Sequence, residues 1–278
     1  MTELDVLVPT YARPAALAVT LATLAAQDFR DFRLVVSDQT EERPSWASAE
    51  VQAVVRVLRI RGHAVELLHH LPRRGMAEQR QFLLDRVRAP FALFLDDDLV
   101  LEPDLVGRLV RTLREEGCGF VGCGLIGLSF AHDVRPEQQA VEWWEGPVTP
   151  ELVEPGTPAW ERHHLHSAAN LWHLASELGP RAVDRRYKVA WVGGCVLYDA
   201  EKLRDVGGFG FWRDLPPEHA GEDVLAQLRV MARHGGCGLF PSGAFHQELP
   251  TTLPSRPVDA PHVLPVVCRP REGVEPAP

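Results

Sequence analysis

The sequence has no long apolar run. Among its 278 residues, the longest wholly apolar stretches are far shorter than the roughly 20 residues that a helix needs to cross a bilayer. Its first ten residues, MTELDVLVPT, also lack the basic region and apolar run of a secretory signal. These absences predict a cytoplasmic protein without a transmembrane segment.

Paired cysteines and an excess of positive charge are also missing. None of the five cysteines belongs to a CxxC pair, and their odd number argues against a complete set of intramolecular disulfides. We expect reduced, structural thiols at Cys118, Cys123, Cys195, Cys237 and Cys268. With a formal net charge of −9, the chain lacks the clustered Lys and Arg that neutralise nucleic-acid phosphates, so we expect no nucleic-acid partner.

The first half of the chain alternates apolar runs with amphipathic stretches. The buried strands predicted from the apolar runs are residues 4–8, 32–36, 65–68 and 91–95. The helices predicted between and after them start at Pro14, span 51–58, span 75–88 and start at Pro103. This order is the one that a parallel sheet with crossover helices requires.

The second half has a less regular pattern. Periodicity fades from about Ser129 to Lys188, and we interpret this stretch as a variable segment that faces the substrate. The elements predicted around it are strands at 120–126, 189–198 and 238–240 and a helix at 222–233. The proline-rich end of the chain predicts a tail that lies on the surface or is disordered.

Polar residues follow three of the predicted strands. They are Pro9, Thr10 and Tyr11 after the first strand, Asp38 after the second, and Asp96, Asp97 and Asp98 after the run FALFL. Ligands of open α/β sheets bind beyond the carboxyl ends of the strands, so we expect these residues to converge. Three adjacent carboxylates need a compensating cation or open water, and hard oxygen ligands suit Mg²⁺ or Mn²⁺. The alternative is a solvated acidic loop before the next helix.

Six motifs occur in order along the chain: LDVLVPTYARP, VVSDQT, RGMAEQRQFLL, FLDDD, GGCVLYDAEKLRDVGGF and GEDV. Their order and approximate spacing resemble family 2 glycosyltransferases of the GT-A fold. The resemblance implies a single α/β, Rossmann-like domain over residues 1–250, with a mostly parallel central sheet flanked by helices. It places nucleotide-sugar binding in about 1–100 and acceptor binding in about 101–250, and leaves 251–278 as a tail.

The resemblance also implies how the donor is held. In the family, the end of the first strand contacts the nucleotide, which places Pro9, Thr10 and Tyr11 beside the base and ribose. An acidic residue after the second strand recognises the base, usually uracil, and Asp38 matches it. The two residues that follow depart from the common sequence, so the identity of the base stays open.

Arg80 lies in a segment that resembles the family's glycine-started helix, which normally ends in Arg-Asn. Arg80 matches the arginine, while Gln81 replaces the asparagine. The match implies that Arg80 faces the nucleotide, and an arginine on the surface of the helix is the alternative.

The acidic triplet resembles the DxD signature of the family. The resemblance places Asp96 near the ribose or sugar and Asp98 on the metal that bridges the diphosphate, while Asp97 can shift these roles by one residue. Some GT-A enzymes add a histidine beyond a late strand to the metal shell, and His246 follows such a strand. The implied cofactor is Mn²⁺ or Mg²⁺.

Glu222 and Asp223 follow a glycine at the start of a predicted helix. From composition alone, they cap this helix, since carboxylates are favourable at a helix N-terminus. The resemblance instead implies that Asp223 is the catalytic base and that Glu222 orients the acceptor or substitutes as base. One base and one metal-held leaving group suit direct displacement with inversion, although the sequence does not exclude retention.

Weaker candidates lie in the acceptor half. Gly193 and Gly194 permit close approach of donor or acceptor, or else serve turns. Trp191 suits stacking on a sugar ring, with a core position as the alternative. The histidines of HHLH at 163–166 are interpreted as a solvated loop, because a fourth metal ligand is missing.

The function implied is transfer of a sugar from a nucleotide sugar, in the first place a UDP-sugar, to an acceptor hydroxyl. A sugar nucleotidyltransferase is the main alternative, but VPTYARP is a poor match for its glycine-rich basic phosphate loop. A module that binds a nucleotide sugar without transfer is a second alternative. The sugar and the acceptor are not specified by the sequence.

Overall fold

A central sheet with helices on both faces forms most of the molecule. The computed structural model describes residues 2–179, 184–252 and 255–267. Its strands are β1 (Leu4–Thr10), β2 (Phe32–Asp38), β3 (Val65–His69), β4 (Phe91–Leu95), β5 (Leu99–Leu101), β6 (Phe120–Gly122), β7 (Arg185–Tyr187), β8 (Cys195–Asp199), β9 (His219–Ala220), β10 (Gly236–Phe240), β11 (Ala244–His246) and β12 (Val258–Asp259). Its α-helices are α1 (Pro14–Ala25), α2 (Ala49–Ile60), α3 (Met76–Leu84), α4 (Leu105–Glu116), α5 (Asn170–Leu178), α6 (Ala200–Asp205), α7 (Glu222–His234) and α8 (Ala260–Val263).

The central sheet has eight strands in the order β3-β2-β1-β4-β8-β6-β10-β7. The first four are parallel neighbours, and β10 is parallel to β6. Strand β8 is antiparallel to both β4 and β6, and β7 is antiparallel to β10. Most strands therefore run in one direction, which confirms the expected α/β fold with a mostly parallel central sheet flanked by helices.

Strand β1 lies inside the sheet and is buried along its whole length. Successive side chains of a strand point to opposite faces, so Val6 and Val8 join one apolar layer and Leu7 joins the other. Leu17 of α1 packs in the first layer, and Leu225 of α7 packs in the second. Both faces of the sheet are therefore covered by helices.

Several predicted elements are shorter than expected. The strand predicted at 189–198 begins only at Cys195, because Gly194 has a φ of +71° that an extended strand does not accommodate. The helix predicted at 75–88 is the shorter α3, and the strand predicted at 120–126 is the shorter β6.

The middle segment is more ordered than the sequence predicts. Residues 129–188 include α5 and β7 as well as short 3-10 helices. Asn170, Leu171 and Leu174 of α5 are buried, and β7 pairs with β10 at the edge of the sheet. The long connection from β6 to β8 therefore contributes to the core.

Part of the predicted tail also packs against the domain. Strand β12 pairs with β9 in parallel, with Val258 opposite His219. Ala260, Pro261 and Val266 are buried. This part of the chain is therefore structured, which differs from the expectation of a surface or disordered tail. Residues 268–278 lie outside the described part.

Two further expectations concern membranes and thiols. Among the described residues, the helices are too short or too polar to cross a bilayer. The cytoplasmic location stays a prediction. Free, buried thiols are found at Cys118, Cys123, Cys195 and Cys237, while Cys268 lies outside the described residues.

Candidate active site

A cavity of about 370 Å³ opens where β1 and β4 end and α7 begins. It brings together most of the predicted site residues: 9–11, Arg80, 96–98, 222–223 and His246. The ends of two neighbouring parallel strands thus meet the start of a helix from the far half of the chain. This convergence is the one expected for ligand binding in an open α/β sheet.

Asp96 is the first residue after β4, and the neighbouring β8 side of the sheet holds it. Its N–H donates to the Gly194 carbonyl at 2.8 Å. A Cβ atom on Gly194 would lie 3.0 Å from Asp96 Oδ2, so the glycine lets the chain pass beside the carboxylate. Gly194 therefore adjoins the acidic triplet without lining the cavity.

Asp97 is buried and bonded to the end of β1. Thr10 Oγ1 donates to Asp97 Oδ2 at 2.5 Å. Burial raises the pKa of Asp97 to about 7, with a further contribution from Asp98, while Thr10 and Arg13 act in the opposite direction. The bond from Thr10 to Asp97 thus links the end of β1 to the residues that follow β4.

Asp98 lies where β5 pairs with β11, which places His246 opposite Leu99. Gln247 N–H also donates to the Asp98 carbonyl at 2.8 Å. Asp98 Oδ2 accepts from Arg13 Nη1 at 2.6 Å and lies 3.4 Å from His246 Nε2. Burial alone would raise the pKa of Asp98, but His246 and Arg13 outweigh burial and lower this pKa.

Arg80 joins the two acidic groups of the cavity. It is buried on α3, its Nε donates to Glu222 Oε1 at 3.0 Å, and its Nη2 donates to Asp96 Oδ1 at 3.1 Å. Burial disfavours the charged guanidinium, but the charges of Asp96, Glu222 and Asp223 outweigh this effect and raise its pKa. Arg80 is therefore not an exposed arginine on a helix surface.

Glu222 and Asp223 form the first turn of α7. The Glu222 carboxylate accepts from Arg80, and Asp223 lines the cavity. Burial and then the neighbouring charge of Glu222 raise the pKa of Asp223 to about 7, against the opposing charge of Arg80. A carboxylate with a pKa near neutrality is suited to accept a proton.

The C-terminal segment borders the same cavity. Residues 249 and 251–252 line it together with Arg256. Gly221, which precedes α7, has a φ of +73°, and a Cβ atom there would collide with the Asp259 side chain and lie 2.7 Å from Pro261 Cδ. Close approach of this segment therefore requires glycine at the turn that leads into Glu222.

Asp38 is wholly buried at the end of β2 and does not line the cavity. Its carboxylate accepts from the backbone N–H groups of Thr40 at 2.8 Å and Ser45 at 2.5 Å. These bonds fix the loop that follows β2. Recognition of the base by Asp38 stays a prediction.

Trp191 and Gly193 also lie outside the residues that line the cavity. The Trp191 ring is stacked on His163, with centroids 5.0 Å apart, and lies 4.5 Å from the ring of Trp160. Trp191 is half-buried in this aromatic group. Contact of Trp191 or Gly193 with an acceptor stays a prediction.

The histidines at 163–166 belong to a 3-10 helix, Trp160–His166, rather than to a solvated loop. Ligand atoms of Glu161, His163 and His164 lie within 4.8 Å of one another, but these residues do not line the cavity. His166 is bonded to Tyr187 Oη at 2.9 Å, and burial lowers its pKa to about 4.

Several residues of the cavity were not predicted from the sequence. Arg13 lies within the first motif, so a signal existed, but its contact with Asp98 is formed across 85 residues of chain. Gln79 anchors α3 by donating to the Ser37 carbonyl at 2.7 Å. Arg256 falls in the proline-rich tail, where no local pattern marks a site.

Comparison with known protein families matches residues 5–165 to "Glycosyl transferase family 2". The matched stretch is more than half of the chain and contains the acidic triplet and Arg80. The chain belongs to glycosyltransferase family 2. Glu222 and Asp223 lie outside the matched residues of this family 2 chain, so their catalytic roles stay predictions.

Known proteins with similar sequences include two from bacteria. The chain is 28% identical over 196 residues to "Succinoglycan biosynthesis protein ExoM" of Rhizobium meliloti (strain 1021), across 68% of this chain and 56% of that protein. It is 28% identical over 116 residues to a Campylobacter jejuni "GalNAc(5)-diNAcBac-PP-undecaprenol beta-1,3-glucosyltransferase", across 41% and 36% of the two chains. The chain thus spans little more than half of the first relative and about a third of the second.

Solved structures show the same fold. S. aureus TarS in complex with UDP-GlcNAc superposes with a TM-score of 0.53 at 15% identity, over 90% of this chain and 60% of that one. The mannosyltransferase PcManGT of Pyrobaculum calidifontis, in complex with GDP-Man and Mn²⁺, gives a TM-score of 0.50 at 17% identity, over 85% and 56%. The expected GT-A fold of this family 2 glycosyltransferase is therefore confirmed.

Proposed function

We propose that this chain transfers a sugar from a nucleoside diphosphate sugar, in the first place a UDP-sugar, to an acceptor hydroxyl with inversion. One observation carries the proposal: two acidic groups with different surroundings, 96–98 and 222–223, face one cavity and are joined by Arg80. Membership of family 2 supports transfer chemistry at this cavity.

We assign the nucleotide to the β1 side of the cavity. Thr10 and Tyr11 line this side, and the Arg73 guanidinium lies 3.8 Å from the centre of the Tyr11 ring. A cation stacked on an aromatic ring offers a flat, charged surface beside a base and its phosphates. The UDP-GlcNAc and GDP-Man found in neighbouring structures support a nucleoside diphosphate sugar as the donor class. We assign the ribose and sugar to Asp96, Asp97 and Arg80.

We assign a divalent cation, Mn²⁺ or Mg²⁺, to Asp98 and His246. Their ligand atoms Oδ2 and Nε2 lie 3.4 Å apart, so a carboxylate oxygen and an imidazole nitrogen converge on one position. Carboxylates suit both ions, while imidazole suits transition metals, so the mixed set favours Mn²⁺. When bound there, the ion would offset the negative charge of the departing nucleoside diphosphate.

The second acidic pair supplies the base. The Asp223 carboxylate takes the proton of the acceptor hydroxyl while the acceptor oxygen bonds to the anomeric carbon and the bond from that carbon to the diphosphate oxygen breaks. Its pKa of about 7 keeps it basic enough for this step and partly ionised near neutral pH. Glu222 is held by Arg80 and orients the acceptor.

We assign donor binding to about residues 1–100 and acceptor binding to about 101–250, with Trp191, Gly193 and Gly194 on the acceptor side. Trp191 and Trp160 are both half-buried, which leaves aromatic surface available for a sugar ring. The described C-terminal segment also borders the cavity, so the functional unit includes part of 251–278.

A donor panel tests this function. We expect one nucleoside diphosphate sugar to bind in the presence of Mn²⁺ and to lose its sugar when a working acceptor is added. Binding is followed by titration calorimetry and transfer by mass spectrometry. Formation of a nucleotide sugar from a nucleoside triphosphate and a sugar phosphate would establish a nucleotidyltransferase instead. Donor binding without transfer to any acceptor would favour a binding module.

A further inference from the structure

Arg13 is one of the basic side chains that contact Asp98 at the end of the acidic triplet. Its Nη1 lies 2.6 Å from Asp98 Oδ2 and 3.5 Å from Asp97 Oδ1. The Arg13 side chain is 16% exposed and that of Asp98 is 6% exposed, so water screens this pair only weakly. The contact is therefore a charge-assisted hydrogen bond in a largely dry setting.

The backbone before Arg13 is held so that the side chain enters the cavity. Ala12 has a φ of 54°, which residues with a Cβ rarely adopt, and its N–H donates to Thr40 Oγ1 at 2.8 Å. Arg13 Nη2 also donates to the carbonyl of Pro250. Restraints at both ends of the residue keep the guanidinium beside Asp98.

In the proposed function, the Asp98 Oδ2 atom would contact two positive charges, the Arg13 guanidinium and the divalent cation. Asp98 Oδ2, which accepts from Arg13, is also the oxygen that lies 3.4 Å from His246 Nε2 and is assigned to the metal. A guanidinium and a divalent ion repel one another strongly when both contact one oxygen in a poorly screened site. Metal binding at Asp98 therefore requires the bond from Arg13 to weaken or break.

We infer that Arg13 competes with the divalent cation for Asp98 and so sets the metal affinity of the site. This inference rests on the proposed function, because it needs Asp98 to be a metal ligand. Arg13 is then a residue that lowers the affinity of the site for the ion. It also provides a positive charge that stabilises the acidic triplet before the ion binds.

Replacement of Arg13 tests the competition directly. In Arg13→Gln, the affinity for Mn²⁺ should rise roughly tenfold or more, the scale expected when a hydrogen bond to a charged group is removed. Arg13→Lys keeps the charge but loses the planar fork, so its affinity should lie between those of wild type and Arg13→Gln. Mn²⁺ binding is measured by titration calorimetry and by electron paramagnetic resonance, with Mn²⁺ alone and with UDP present. Thermal unfolding checks that each variant is folded.

Arg256→Gln is the matched control. Arg256 lines the same cavity and donates to Thr251 Oγ1 at 3.1 Å, and within the described ranges no ion pair with a carboxylate is found for it. Its replacement removes the same charge from the cavity without freeing Asp98, so Mn²⁺ affinity should change less than about threefold, since a screened charge contributes little. An equal rise in both variants would show a general effect of charge and overturn the competition.

The outcomes separate this inference from the proposed function. Equal Mn²⁺ affinity in wild type and Arg13→Gln, when both lose binding on Asp98→Asn, would refute competition while leaving Asp98 as a ligand. Absence of Mn²⁺ binding in both proteins, with and without UDP, would refute the metal assignment and this inference with it. A rise confined to Arg13→Gln and Arg13→Lys would support both.

Discussion

Asp98 and Asp223 face the same cavity, yet their surroundings shift their pKa values in opposite directions. Around Asp98, the positive groups Arg13 and His246 outweigh burial and lower the pKa. Around Asp223, burial and the charge of Glu222 outweigh Arg80 and raise the pKa to about 7. The first carboxylate is suited to hold a cation and the second to accept a proton. The proposed roles of these two aspartates thus differ because their neighbours differ, although the residue type is the same.

The largest expected effect tests the proton-accepting side of this comparison. Asp223→Asn keeps the size of the side chain but removes its basicity, so sugar transfer should fall by roughly 10² to 10⁴. Glu222→Gln should lose less, because the base remains. Transfer rates with a working acceptor check both values. Near-normal turnover in Asp223→Asn would show that Asp223 is not the catalytic base.

Arg80 gives the next largest effect, on stability. Arg80→Gln removes a buried cation and leaves Glu222 and Asp96 without their partner, so the free energy of unfolding should fall by about 3 to 5 kcal/mol. Urea denaturation measures this change. Arg56→Ala, on an exposed part of α2, is the control and should change stability by less than about 0.5 kcal/mol. An equally small loss for Arg80→Gln would mean that water replaces the hydrogen bonds of Arg80 to Glu222 and Asp96.

The C-terminal segment packs on the turn before Glu222, so it should stabilise the start of α7, which carries Glu222 and Asp223. Deleting residues after Thr252 removes the buried Ala260, Pro261 and Val266 and should cost about 2 kcal/mol. The corresponding fall in Tm is roughly 4 to 8 °C for a domain of this size. Val263→Ala, at an exposed position of α8, is the matched control and should change the free energy of unfolding by less than about 0.5 kcal/mol. A Tm within 1 °C of wild type for the deletion, roughly 0.3 kcal/mol, would show that this packing adds nothing.

The pH dependence of transfer gives the smallest of these effects. A base must be deprotonated, so the raised pKa of Asp223 predicts that the rate falls about tenfold per unit as pH drops below about 7. The lowered pKa of Asp98 adds no transition in that range. Single-turnover rates across pH measure the profile. A transition near 7 that persists in Asp223→Asn would belong to another group of the cavity: Asp97, whose pKa is also about 7, or His246, whose pKa is raised by its hydrogen bond with Asp98.

The sequence was sufficient for the features that depend on local pattern. The four parallel strands follow from apolar runs, and the convergence of Thr10 with the acidic triplet follows from their places at neighbouring strand ends. Hydrophobic periodicity and the order of elements along the chain are visible in short stretches of sequence, so they can be predicted without knowledge of tertiary contacts. The start of α7 was likewise marked by Gly221 and two acidic residues.

Features that depend on distant contacts were not predictable in the same way. The helix α5 and the C-terminal strand β12 are short and take their stability from packing, so they leave little periodic signal. The bond from Arg13 to Asp98 joins two motifs that are each recognisable, but neither motif specifies the pairing. Asp38 differs from Arg13, because its contacts are local. Its carboxylate accepts hydrogen bonds from the loop that directly follows it, and the motif alone did not indicate this structural use.

The difference between the two acidic regions is tested most directly by donor affinity in Asp98→Asn and Asp223→Asn, each measured with Mn²⁺ and with chelator. Asp98→Asn should lose the gain in affinity that Mn²⁺ gives to wild type, because its carboxylate is assigned to the ion. Asp223→Asn should keep the full gain, within about twofold, while transfer is lost. If both variants lose the same share of the gain, or if Asp98→Asn keeps it, the assigned division between the two carboxylates is contradicted.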